Sequence, residues 1–414
     1  MNTTCDALII GGGPGGATAA LLLARAGWSV RLIEKAAFPR GKVCGEFLSA
    51  TNLPLLRELG VAEDFLELAG PEVRQVGLFA REVSLVAAMP RCGSGRDAWG
   101  RALGRERLDT LLLERAAAAG AEVWQPWAAI GLSRAGGDFV CQASSRERRQ
   151  SREIRARIVI AAHGSWESGS LPSQCLRRAP RPADLFGFKA HFRNCGLRPG
   201  LMPLLVFPGG YGGMVHSDRG RVSLSCCIRR DRLEQVRRAH PRASAGEAVL
   251  AHIQGDCRAV REALSGATRE QSWLSAGPIR PGSRQRAGAG IFLVGNAAGE
   301  AHPIVAEGIS MAMQSAWLLC ERLVRGGTEA LAGRGLAAIG RDYATAWRKQ
   351  FAPRIYAAAL FAHLAMRPAT AAAALTIIRR FPDLLTMGAR WSGKANQIST
   401  THRETTKRAR LLWL

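Results

Sequence analysis

Glycines at 11, 13 and 16 and an acid at 34 are the residues whose spacing first suggests chemistry in this 414-residue chain. They fit G-x-G-x-x-G followed by an acid at the distance of one βαβ turn. In that pattern Gly11 permits a tight turn, Gly13 lets the backbone approach a pyrophosphate, and Gly16 lets a helix sit close on the preceding strand. Pro14, Gly15 and Ala17 share the loop and the first helical turn, whose unpaired N–H groups and positive dipole end would face the phosphates. Glu34 can accept hydrogen bonds from a ribose diol. The flanks give the pattern its meaning in a chain with 46 glycines. Asp6-Ala7-Leu8-Ile9-Ile10 reads as a strand, Ala17 to Gly27 as an Ala- and Leu-rich helix, and Trp28 to Ile33 as the strand that delivers Glu34. The reading is an adenine-dinucleotide site.

A second set lies far downstream. Ile291 to Val294 reads as a strand ending at Gly295, followed by Asn296, Ala297 and Pro303. Glu307-Gly308-Ile309 then opens a long helix whose N-terminus can stabilise negative charge. Between the two sets, Arg105 starts a helix that returns to a parallel strand near Val123, and a buried strand over Ile158 to Ala162 ends in Ala162-His163-Gly164.

The loop Phe38-Pro39-Arg40-Gly41-Lys42-Val43-Cys44-Gly45-Glu46-Phe47-Leu48-Ser49 resembles the loop after the second strand in geranylgeranyl-reductase-like flavoproteins. These belong to the wider superfamily of para-hydroxybenzoate-hydroxylase-like monooxygenases and flavin-dependent halogenases. The run Ile291 to Ala312 resembles that superfamily's strand-Gly-Asp-Ala-Ala-Gly…Pro…Gly-Glu-Gly-Ile-x-x-Ala. The resemblance implies resident FAD, with NADH or NADPH as electron donor. It also implies that the loop from Lys35 runs beside the FAD, with Arg40 and Lys42 near its anionic groups, and Cys44 and Gly45 near the isoalloxazine. Arg105 then sits on the flavin side, Ala162-His163-Gly164 at the pyrophosphate, and Asn296 at the ribityl chain. His163 and Asn296 each replace the family's aspartate. The first departure leaves a pyridine-nucleotide role unassigned, while Asn296 can still hydrogen-bond a hydroxyl without charge. Pro208 to Met214 lacks the tryptophan of the prenyl reductases' Tyr-x-Trp-x-Phe-Pro.

A flavin carries the hard chemistry, so neither a Ser-His-Asp triad nor paired carboxylates are required. The leading expectation is an FAD-dependent monooxygenase that hydroxylates a hydrophobic aromatic or polyketide-like molecule through a C4a-hydroperoxide. One alternative is an FAD-dependent reductase of prenyl-lipid carbon–carbon double bonds; the other is a non-catalytic prenyl-binding protein of the same fold. A halogenase is disfavoured, because the resembled halogenases carry a Gly-Trp-x-Trp-x-Ile-Pro stretch and a catalytic lysine, and neither is evident in Val73 to Met89 or around Tyr211. His302 beside Pro303, Tyr211 and Cys44 are the catalytic candidates, and His216 is a further candidate for the pocket wall.

The elements that must hold these residues imply an α/β fold: a Rossmann-type FAD-binding domain, an antiparallel-sheet substrate domain and a helical C-terminal region. The expected boundaries are 1–70, 101–175 and 281–330 for the FAD-binding domain, 71–100 and 176–280 for the sheet domain, and 331–414 for the helices. Helices are expected over 52–70 and 231–265, then over 343–351, 355–366 and 370–378. None of the last three reaches the roughly 20 residues that cross a bilayer. The expectation is a buried helix pair closing over the substrate cavity. The alternative is an interfacial segment supported by Arg379, Arg380, Arg390, Lys394, Lys407, Arg408 and Arg410.

The net charge is +24, carried mostly by arginine, with only six lysines. It fits either a basic surface or peripheral contact with an anionic membrane, and not nucleic acid. Ten cysteines without a C-x-x-C pair suggest reduced thiols and no metal site. The glycine motif begins within the first dozen residues, which leaves no room for a secretion signal. A cytoplasmic protein is expected, with a peripheral place at the inner face of the membrane as its extension; oligomeric state stays open.

Overall fold

The computed structural model describes residues 4–93, 95, 98–164, 169–174, 179–284, 290–331 and 333–394. Its first sheet is centred on strand Cys5–Ile10, parallel to Val30–Ile33 on one side and to Gln150–Ala161 on the other. Glu122–Trp124 and Ile291–Leu293 extend it in parallel at either side. The strand Gln150–Ala161 serves two sheet environments. Its first half pairs antiparallel with Asp138–Ser145, which continues to Ala128–Ala135. There its side chains alternate, while Ile158 to Ala161 are all buried, as befits a strand covered on both faces. Helices Pro14–Arg25, Arg105–Ala118 and Gly308–Gly326 pack together against this sheet. Ala17, Ala19 and Ala20, all fully buried, keep the first helix thin enough to fit between them.

The second sheet has eight strands. Seven run in the order Thr268–Arg269, Leu185–Arg193, Val222–Arg229, Gly210–His216, Leu201–Phe207, Gln75–Ala80 and Val83–Ala88, with Leu274–Ile279 also on Leu185–Arg193. All its pairings are antiparallel except Leu201–Phe207 with Gln75–Ala80. Helices Arg230–Ala239, Ala245–Asp256 and Arg258–Ala263 cover its back through Leu233, Ile253 and Val260. The helical stretch 231–265 therefore supplies a large share of a hydrophobic core.

The C-terminal helices depart from expectation. Residues 343–366 belong to one helix, Gly333–Met366, which continues through Pro353. A proline interior to a helix costs about 3 kcal/mol. Here the buried stripe Tyr343, Trp347, Phe351, Ile355, Ala358 and Ala362 runs unbroken across it, and its packing outweighs the lost hydrogen bond. The following helix, Pro368–Arg380, bends away by 102° and has no fully buried residue. The expected buried pair is thus one half-buried helix and one surface helix. No single helix among the described residues is long and apolar enough to cross a membrane. Residues 395–414, with Lys407, Arg408 and Arg410, lie outside the described residues.

Trp347 is the anchor of the long helix: it is 1% exposed, packs on Phe351 at 5.3 Å between centroids, and closes over Gly299. Trp347→Ala should lower the unfolding free energy by about 3–5 kcal/mol in denaturant titration. A change within about 0.5 kcal/mol, as at surface positions, would detach this helix from the core.

Candidate functional site

A cavity of about 630 Å³ is lined by both sheets and by the C-terminal helices. The glycine turn builds its polar end. Gly11 has φ +108°, and a Cβ there would come 2.6 Å from the Ala162 carbonyl oxygen. A Cβ on Gly16 would lie 1.8 Å from the Gly11 oxygen. The chain's own packing requires both glycines. Gly13 differs, because a Cβ there would find its nearest neighbour, Arg105 Nη2, only at 3.9 Å. It lines the cavity with Pro14 and Gly15. That open ground at the start of helix Pro14–Arg25, over N–H groups that have no helical acceptor, has the form that can receive a phosphate.

Glu34 lines the same end and is 5% exposed. Its carboxylate accepts the Gly12 N–H at 2.8 Å and the Ala36 N–H at 3.0 Å, so it braces the turn. Each oxygen retains acceptor capacity for a ribose hydroxyl. Arg40 reaches Glu34 at 3.5 Å and Asp109 at 3.7 Å while resting on the Phe38 ring. Arg105 is held by two 2.7 Å hydrogen bonds to Asp109. Burial alone would lower its pKa, but the Asp109 carboxylate raises it and keeps the guanidinium charged. Burial, with Arg40 and Arg105 adding repulsion, pulls the Lys42 ammonium down to about 8. Lys35 lies at the exposed rim. Cys44 and Gly45 line the wall beside Arg105, with the Cys44 thiol accepting the Glu46 N–H at 3.3 Å. Opposite them, His163 donates through Nδ1–H to the Gly164 carbonyl at 3.0 Å, and its Nε2 meets Ser173 Oγ at 3.2 Å.

Gly295, Asn296, Pro303, Gly308 and Ile309 complete this end of the cavity. Gly308 starts the helix Gly308–Gly326, and a Cβ on it would meet nothing within 4 Å. Two helix N-termini, at Gly13 and Gly308, therefore line one cavity. Four other predicted site residues, Gly16, Ala17, Ala297 and Glu307, do not line the cavity. His216 is also outside the lining, its Nε2–H donating to the Leu197 carbonyl at 2.7 Å. Its strand register turns it away from the pocket.

The structure supplies a reason for Asn296. Its amide Nδ2 donates to Glu300 Oε1 at 3.0 Å, and Glu300 is 5% exposed. An aspartate at 296 would set two carboxylates against each other in a buried wall. The negative charge stands four residues further on, facing Arg284 at 3.5 Å.

Two groups escaped the sequence reading. Asp109 orients Arg105, as above. Glu46, at φ +63°, is 1% exposed and binds Lys189, His191 at 2.9 Å and the Arg105 N–H at 3.3 Å. Burial would raise its pKa, but His191 and Lys189 hold it well below the usual carboxylate range. This cluster fastens the 38–49 loop to strand Leu185–Arg193 of the second sheet. Its only sequence signal is a lysine and a histidine two apart on a strand, hence on one face.

At the far side, the Tyr211 hydroxyl lies 3.3 Å from His302 Nδ1, and both line the cavity. Burial, and Cys227 beside it, hold the Tyr211 phenol well above its ordinary 10. Burial and the neighbouring His363 bring His302 down to about 4. Both are neutral near pH 7. Among the described residues no cluster of three or more His, Cys, Asp or Glu could hold a metal ion.

This arrangement defines a dinucleotide-binding flavoprotein of the Rossmann type. The chain belongs to the FAD binding domain family, whose model matches residues 4–351. It is similar to the digeranylgeranylglycerophospholipid reductase of Thermoplasma acidophilum, 34% identical over 162 residues. That alignment spans 39% of each chain, less than half the length of either. It is also similar to the menaquinone reductase of Mycolicibacterium smegmatis, 25% identical over 362 residues that cover 84% of this chain and 80% of the relative. Among solved structures, a myxobacterial chondrochloren halogenase superposes with a TM-score of 0.73 at 21% identity, covering 99% of this chain and 90% of the other. The fold is shared at that identity.

The residues present fit FAD: open glycine backbone at both helix starts, a braced acid for the ribose, and Arg40, Lys42 and Arg105 in the lining of the same cavity. Lys42 is half neutral near pH 8, and a pyrophosphate favours its cation, so binding takes up a proton above that pH. FAD affinity, measured by fluorescence titration, should fall as pH rises from about 8 toward the ordinary 10.5, by up to about ten-fold per pH unit. Lys42→Met should remove this slope; a wild-type affinity independent of pH would place Lys42 away from the phosphates. Asn296→Asp should weaken FAD retention about ten-fold through repulsion from Glu300, and Asn296→Asp with Glu300→Gln should restore it. No rescue would refute the exchange of charge between these positions.

Proposed function

We propose that this FAD-dependent oxidoreductase saturates a carbon–carbon double bond in a prenyl lipid or prenylated quinone, with NADH or NADPH as its electron source. The observation that carries this reading is the apolar arm of the cavity. Past Tyr211 and His302 it runs between Phe361, Leu364, Leu375, Ile378 and Leu385, and the C-terminal helices contribute no charged side chain to its lining. Such a slot suits a long hydrocarbon chain better than a compact phenol. Reductases among its relatives, by their names, act on a digeranylgeranylglycerophospholipid and on menaquinone. Hydroxylation stands first in the sequence reading, and this slot moves reduction ahead of it.

Reduced FAD would supply two electrons and one proton, so the chain must supply the second proton. Tyr211 is placed for that. Its phenol is held protonated, faces the cavity, and lies against His302, whose neutral imidazole can relay a solvent proton to it, taking one up at Nε2 as Nδ1 passes its own to the phenolate. The apolar walls keep water away from the reacting carbons and align the chain. Strands Gln75–Ala80 and Val83–Ala88 carry no lysine, which argues against halogenation.

Tyr211→Phe and His302→Ala should each retain FAD and slow product formation on the order of 10²-fold. Unchanged turnover in both would remove the pair from the mechanism. His302 titrates near 4, so kcat should show no inflection from it at neutral pH. A break near the ordinary imidazole value of 6.5 that His302→Gln abolishes would contradict that assignment. Anaerobic incubation with NADH or NADPH and a prenyl lipid separates the readings. Saturated product without oxygen supports reduction; product that forms only with oxygen, and contains it, establishes hydroxylation; protein isolated without FAD points to a prenyl-binding role.

A further inference from the structure

Nine large apolar side chains stand exposed among the described residues, and seven of them lie between 356 and 391. Tyr356 (74%), Leu360 (59%), Ile377 (55%), Phe381 (58%) and Trp391 (63%) are each more than half exposed. They come from the end of Gly333–Met366, from the bent helix Pro368–Arg380 with Phe381 just past its end, and, beyond the short helix Asp383–Ala389, from Arg390–Lys394. Folding gains nothing from displaying so many, and such a concentration marks a contact surface. Arg367, Arg379, Arg380 and Arg390 are exposed in the same segment, where Asp383 is the only acid from 356 to 394. The cluster is therefore apolar with a basic fringe.

The inner faces of the same helices line the apolar arm of the cavity. On Pro368–Arg380, Ala371, Ala374, Leu375 and Ile378 recur at helical spacing toward the cavity, while Ile377, and Phe381 just past the helix end, are exposed. One thin helical layer thus separates the cavity from the exposed apolar surface. The geometry argues against a crossing, although the two helices together have the length and composition of a broken span. The first half of Gly333–Met366 is buried in the core through Tyr343, Trp347 and Phe351, and its continuation turns by 102°. Only the outer ends of these helices are available to lie in a lipid interface, at a depth of about 5–10 Å.

We infer that residues 356–391 form a peripheral docking surface for an anionic lipid bilayer, seated with Tyr356, Leu360, Ile377, Phe381 and Trp391 among the acyl chains and the arginines at the headgroups. Docked this way, the cavity's apolar arm faces the hydrocarbon, and a prenyl chain enters the site without crossing water. The surface stands on its own composition. Its link to substrate entry rests on the prenyl-substrate reading.

The full-length FAD-loaded protein is tested by flotation with vesicles of phosphatidylcholine alone and of phosphatidylcholine with phosphatidylglycerol, at low and high salt. The protein should float with the anionic vesicles at low salt and be partly released by high salt. Arg379→Glu with Arg380→Glu should weaken this by more than about five-fold per arginine. Phe381→Ser with Trp391→Ser should abolish flotation at both salts while FAD content and the thermal melt stay unchanged. These positions do not line the cavity, so turnover of a detergent-dispersed substrate should be unaltered, which separates failure of docking from failure of the proposed reaction. Wild-type protein that stays unbound at low salt, or flotation that survives Phe381→Ser with Trp391→Ser, overturns the inference. So does a sedimentation dimer that this double variant dissociates in the absence of vesicle binding, since the surface would then join two copies of the chain.

Discussion

The close seating of helix Pro14–Arg25 on the end of strand Cys5–Ile10 is the constraint from which the site follows. There is no room for a side chain between Gly16 and the Gly11 carbonyl, or between Gly11 and Ala162. Because the helix begins so near the strand ends, its free N–H groups stand at the edge of the sheet, where Glu34 also arrives. The same logic repeats at Gly308, where a second helix starts beside a strand of the same sheet. Two positive helix ends on one cavity, with Arg40, Lys42 and Arg105 in its lining, make a pocket built for an extended anionic dinucleotide.

Charge is managed carefully around this pocket. Arg105 is usable because Asp109, one turn along the same helix, fixes it by two bonds. Glu46 costs a buried carboxylate in a left-handed backbone conformation, and Lys189 and His191 offset that cost by surrounding it. A buried ion cluster of this kind is weak support for stability on its own; its consequence here is positional. It holds the cofactor loop against the second sheet, and so sets where Cys44 and Gly45 sit relative to Tyr211. Asn296 and Glu300 show the same economy, with one negative charge in the wall where two would repel.

The C-terminal helices join the cofactor pocket to the protein's surface. Their first part is core, their second part is cavity wall, and their outer side is apolar and basic. The chain can maintain these three roles in some sixty residues because a helix presents different faces at different angles. Pro353 falls within the helix and interrupts none of these faces.

Glycine spacing, a strand of strand length on either side, and an acid at the right distance are local properties, which is why the dinucleotide site and its Rossmann-type sheet were legible from residues 6–34 alone. The second helix start at Gly308 was legible for the same reason, and so were the helices of 231–265. Contacts between distant segments could not be read this way. Glu46 meets Lys189 and His191 across more than 140 positions, and periodicity carries no information about such pairs. The orientation of His216 away from the pocket, the unbroken helix through Pro353, and the union of cavity wall with exposed apolar surface depend on what packs against each face. Local sequence determined which cofactor the chain is shaped for; only the tertiary structure, by bringing the C-terminal helices over the second sheet, decided the form of the space left for a substrate.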